Sequence, residues 1–107
     1  MSLIDEVNRI TRLLRLHDWT ISTYNTADEK DAHVVIDREK RTAVIRYNPM
    51  APNLEFLVRH EMVHIFLADM DFVACNGRSV DIMEIYNLYE ERVANVLAAA
   101  LDVHYDF

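Results

Sequence analysis

Glycine and proline are almost missing from this 107-residue chain, with one of the first and two of the second. So little of either excludes a low-complexity or loop-dominated polypeptide, and neither internal repeats nor a linker-like shift in composition is visible. Cysteine is represented once, by Cys75. A lone thiol excludes an internal disulfide framework and reads first as a small buried hydrophobe. Basic residues are scarce as well, 11 Lys and Arg against 18 Asp and Glu, a formal net charge of -7. That balance argues against binding a nucleic-acid backbone or an anionic membrane. The basic group Arg38, Lys40, Arg41 and Arg46 is diluted by Asp37 and Glu39 and reads as a solvated hairpin. No stretch reaches the roughly 18 consecutive apolar residues of a membrane span. The opening Met-Ser-Leu-Ile-Asp-Glu lacks a basic segment followed by an apolar one, so the expectation is a cytoplasmic protein.

What is present is hydrophobic content, 51% of residues, enough for one compact domain over 1–107 with a small core. Ser2 is a plausible N-cap for an opening helix, with Leu3, Val7, Ile10 and Leu14 on one stripe and an end near Leu16. Trp19 to Tyr24 alternates and is rich in β-branched and aromatic residues, the pattern of a strand. His33 to Ile36 and Thr42 to Tyr47 flank a charged stretch and form a hairpin, stopped by Asn48-Pro49. Asn53 would cap a helix over Leu54–Leu67, and Gly77 marks a turn after it. A second long helix is predicted from about Asp81 to Leu101, opened by the capping box Asp81-x-x-Glu84. Its main apolar stripe would be Ile82, Ile85, Tyr89, Val93, Val96 and Ala100. The fold class is therefore α+β: an N-terminal helix, a small three-stranded antiparallel sheet, and two further helices.

The first of those two helices carries the chemistry. His60-Glu61-Met62-Val63-His64 reads H-E-x-x-H inside a run that is apolar almost all round. Four positions apart on a helix, both imidazoles can reach one metal ion, with Glu61 beside it. Three ionisable groups in so apolar a helix would be costly unless a metal or hydrogen bonds compensate them. Zinc is the expected ion; it keeps an open position for water and lowers the pKa of that water to roughly 7, while a neighbouring carboxylate can take the proton.

A zinc site needs a third protein ligand. Candidates are His17, His33, His104, Glu84, Glu90 and Glu91. Glu91 is preferred, because Ala94 and Ala98 at i+3 and i+7 would let the late helix approach closely. Asn95 at i+4 would then hydrogen-bond a ligating histidine. Glu90, on a flank with Met83, Ala94, Leu97 and Leu101, remains the alternative ligand. Tyr86, Tyr89, His104 and Tyr105 are candidates for a second contact to the oxyanion, and their spacing selects none of them. Trp19 reads as a core anchor, and Cys75 has a second reading as a switch ligand on the zinc.

The order of elements, the HExxH helix and a late E-x-x-A-N-x-L-A motif (Glu91, Ala94, Asn95, Leu97, Ala98) together resemble the compact gluzincin-like domains of ImmA/IrrE-type proteins and of small phage-encoded metallopeptidases. The resemblance implies a minimal zincin-like fold, zinc on His60, His64 and Glu91, and Glu61 as general base in peptide-bond hydrolysis. It also implies that the strand near Ala43 to Tyr47 borders the cleft and pairs with an extended peptide or protein substrate. There is no helix-turn-helix reader, and no third histidine completes the longer metzincin pattern. The other reading is a catalytically silent, zinc-stabilised module that acts on a protein partner. Oligomeric state, substrate and cleavage preference are not written in the sequence.

Overall fold

The computed structural model describes residues 2–70, 77 and 80–102. Its elements are helix α1 (Leu3–Leu13), strands β1 (Thr20–Asn25), β2 (Ala32–Asp37) and β3 (Thr42–Tyr47), helix α2 (Leu54–Phe66) and helix α3 (Val80–Ala100), with a further helical turn at 68–70. The α+β class holds. Cys75, His104 and Tyr105 lie outside the described residues.

Ser2 caps α1 as expected, its hydroxyl oxygen accepting from the Asp5 N–H at 3.1 Å. Val7 and Ile10 of the predicted stripe are buried, and Leu3 and Leu14 pack against the core from its edge. The helix stops at Leu13, earlier than expected, because Arg15 turns left-handed (φ 55°) and drops Leu16 into the core.

The sheet is mixed, which corrects the expectation of an antiparallel one. Its order is β1-β3-β2, with β3 antiparallel to β2 and parallel to β1. Alternation identifies strands but carries no information on direction or neighbour. What selects β3 for the centre is its apolar character: Ala43 and Ile45 are buried, while β1 and β2 expose alternate residues. The β2–β3 hairpin is as predicted, tightened by the Lys40 N–H donating to Asp37 Oδ1 and by Arg41 at φ 55°. Arg41 stacks over Trp19 at 4.4 Å and is ion-paired with Asp18 and Asp69. Its charge is thereby matched, and Trp19 is the core anchor expected of it.

Helix α2 lies between the sheet, α1 and α3. Val58, Met62, Val63 and Ile65 are fully buried on it, each side chain contributing about 1.5–3 kcal/mol. Asn53 occupies the N-cap position in the left-handed region (φ 56°) without a side-chain cap bond, so the expected cap is positional only.

A buried ion cluster fixes α3. Glu6 and Arg59 are both buried, with Arg59 Nη1 3.3 Å and Arg9 Nη2 2.6 Å from Glu6 Oε1. The two arginines also donate to carbonyls at the end of α3, Arg59 Nε to Ala98 O at 2.9 Å and Arg9 Nη2 to Leu101 O at 2.6 Å. Cations thus satisfy acceptors that a helix C-terminus leaves open. Arg59 immediately precedes His60, so the same contact sets the height of α3 against the histidine turn.

The predicted stripe on α3 faces the wrong way. Ile85, Tyr89, Val93 and Val96 point outward, whereas Glu90, Ala94 and Ala98 are buried. The small side chains win this face because they allow the close approach of the two helices. Val80 already belongs to the helix, and the Asp81 side chain, with the proposed capping box, lies outside the described residues.

Candidate metal centre

Two helices meet at the HExxH turn. His60 and His64, one turn apart on α2, have ring centroids 4.8 Å apart and Nε2 atoms 3.1 Å apart. Glu91 reaches both from α3, Oε2 3.2 Å from His60 Nε2 and Oε1 2.9 Å from His64 Nε2. Of the acidic and histidine candidates, the ones drawn together are therefore His60, His64 and Glu91.

Glu90 has a different position from the one expected. It is 8% exposed, against 55% for Glu91, and its Oε1 accepts a 2.7 Å hydrogen bond from His64 Nδ1. The bond holds the His64 proton on Nδ1 and leaves a lone pair on Nε2, facing His60 and Glu91. Asn95, expected in that supporting role, is exposed. The signal for Glu90 was in the sequence: Glu90, Ala94 and Ala98 are spaced by four and share the stripe that faces α2.

An imidazole N–H points along one direction in the ring plane and cannot serve two acceptors in a triangle equally. One ligand atom from each of His60, His64 and Glu91 lies within 4.8 Å of the others, with the two carboxylate oxygens of Glu91 each facing one imidazole. The group could hold a divalent ion with nitrogen and carboxylate ligands, the set that zinc accepts.

Glu61, on the same turn, accepts a hydrogen bond at its carboxylate from the Val34 N–H of the sheet. Burial pushes that carboxyl up to about 7; His64 pulls it down, Glu91 pushes it up, and His33 and the Val34 amide pull it down by smaller amounts. Val34 belongs to β2, so the strand beside the histidine turn is β2. The expectation that β3 borders the cleft is thus corrected: β3 is paired on both sides and has no free edge.

Other candidates fall away. His17 and Glu84 are exposed. His33 lies on β2 with its Nδ1 2.6 Å from Glu29 Oε1, and pairs in register with Arg46. Tyr89 is on the outer side of α3. Among the described residues no helix is long and apolar enough to cross a membrane. Comparison of the chain with protein-family models, with curated proteins and with solved structures found no match.

Proposed function

We propose that the chain is a zinc-dependent metallopeptidase in which His60, His64 and Glu91 hold the metal and Glu61 is the general base. The observation that supports this most is the convergence of three Lewis-base atoms with one of the histidines oriented from behind by Glu90. Zinc bound there would polarise a water molecule and the scissile carbonyl and bring the water's pKa near neutrality. Glu61 is suited to the proton transfer by its position on the same turn, and a nearby divalent ion would favour the carboxylate form that a general base requires. Glu61 would take the proton from water and deliver it to the leaving amine.

An extended peptide would lie along β2, the edge strand next to α2, where unpaired backbone groups can add a strand. The Val34 N–H is already held by Glu61, so binding on that edge and the general base are in direct contact.

The alternative, a zinc-stabilised module without catalysis that binds a protein partner, draws on one observation. Tyr89 faces away from the histidines, which leaves one fewer candidate for the oxyanion. Zinc-loaded protein incubated with a mixture of unstructured peptides separates the two, with fragments read by mass spectrometry. Peptidase activity requires cleavage by the native chain and none by Glu61→Gln carrying the same zinc. Intact peptides in both reactions leave the silent module.

A further inference from the structure

Helix α3 has two apolar sides, and α2 covers only one. Toward α2 it presents Glu90, Ala94 and Ala98. On the opposite side Ile85, Leu88, Tyr89 and Val96 are each more than half exposed, and Val93 is 42% exposed. At about 100° per residue these five share an arc roughly 140° wide, centred almost opposite Ala94. Between Ile85 and Val96 the one ionisable side chain in that arc is Arg92, whose guanidinium lies 5.6 Å from the Tyr89 ring centroid.

We infer that this face is the contact between two copies of the chain, α3 against α3 and antiparallel, around a two-fold axis close to Glu90 and Glu91. The pattern of the face is what selects a second copy. Ile85 and Val96 lie on its central line, equally far from that point in opposite directions along the helix. Tyr89 and Val93 straddle the point on one flank, Leu88 and Arg92 on the other. In a two-fold pair, Ile85 of one protomer meets Val96 of its partner, Tyr89 meets Val93, and Leu88 meets the aliphatic stem of Arg92. A surface shaped for an unrelated protein need not be its own complement; this one is.

Area and charge agree with that occupant. The five residues expose on the order of 600 Å² per protomer, so a pair would bury at most about 1,200 Å², the size at which weak, reversible contacts give way to specific, stable interfaces. Each chain carries a net charge of -7, and the arc between Ile85 and Val96 contains no carboxylate. Two copies therefore meet without placing carboxylates in contact; the two Arg92 side chains lie on either side of the axis, and their repulsion and that between the net charges are screened by salt. The pairing leaves the histidine turn untouched, and it holds with or without a bound metal.

Sedimentation velocity of the full chain from low to high micromolar concentration tests the inference. A reversible dimer is expected, tightened by added salt. Ile85→Glu and Val96→Lys, both at exposed positions, should each weaken it by about tenfold or more while circular dichroism stays unchanged. An equimolar mixture of the two should restore the dimer, because the new Glu then faces the new Lys across the axis. A native chain that stays monomeric throughout overturns the proposal. So do single variants that dimerise as before, or a mixture that fails to recover.

Discussion

The Glu90 carboxylate accepts a 2.7 Å hydrogen bond from Nδ1 of His64, so this alternative ligand of the sequence reading would support a metal-binding histidine rather than bind the metal itself. Glu91, one residue on, faces the two Nε2 atoms. The pair divides into a support and a ligand, and the two roles respond differently to substitution. Glu90→Gln should keep one equivalent of zinc and weaken its affinity by about 10- to 100-fold, the usual cost of losing such a partner. Glu91→Ala should lose binding at the same protein concentration. Competition with a chromophoric chelator measures both.

Glu61 gives the metal-free protein a pH dependence of definite sign. Its folded carboxyl is raised from about 4.5 to about 7, so between those values the folded state holds more protons than the unfolded one. Stability therefore falls as pH rises through that window and levels off above it. Glu61→Gln removes the slope and should stabilise the metal-free chain near pH 8 by on the order of 2 kcal/mol, allowing for partial exposure. Urea titrations at several pH values read the difference directly.

Glu6 has the opposite sign. Burial pushes its carboxyl up, but the hydrogen bonds and charges of Arg9 and Arg59 pull it further down, and it stays below the ordinary value of 4.5. Its contribution is present above that pH and is lost as acid carries the pH down through the depressed value. Glu6→Ala leaves the buried Arg59 with only its longer contacts to Asp102 (3.5 Å) and Glu55 (3.9 Å) and should cost on the order of 3 kcal/mol. Because Arg59 also holds the Ala98 carbonyl, that variant should weaken zinc binding as well, whereas Ile85→Ala on the outer face of α3 should not.

Removing the metal should destabilise the fold. With zinc in excess over its dissociation constant, the native chain should melt higher than after treatment with a chelator, by roughly the free energy of about 4 kcal/mol expected at a thousandfold excess. In His60→Ala and His64→Ala the two melting temperatures should coincide. Differential scanning calorimetry with and without chelator measures the shift.

Much of this was legible in the residues. Alternation located β1, apolar runs flanking a charged stretch located the β2–β3 hairpin, and the Ser2 cap and the Val7–Ile10 stripe located α1. The HExxH spacing placed His60 and His64 within reach of each other, because helix geometry alone fixes that distance. Strand order was not legible, since period-two patterning is blind to direction, and the β1–β3 pairing brings together residues more than twenty apart. The face of α3 misled for a physical reason: its largest apolar side chains lie outside, while Ala94 and Ala98, which contribute little hydrophobic signal, are the buried contact. The burial of Glu90 follows from that same reversed face.

Titration of zinc into metal-free protein by calorimetry, on the native chain and on Glu91→Ala, tests the coordination sphere most directly. One equivalent should bind the native chain tightly, with a heat that changes with the buffer because protons are released, and Glu91→Ala should bind none at comparable concentration. A native chain that takes up no zinc, or a Glu91→Ala variant that binds it unchanged, would contradict the assignment of His60, His64 and Glu91 as a metal site.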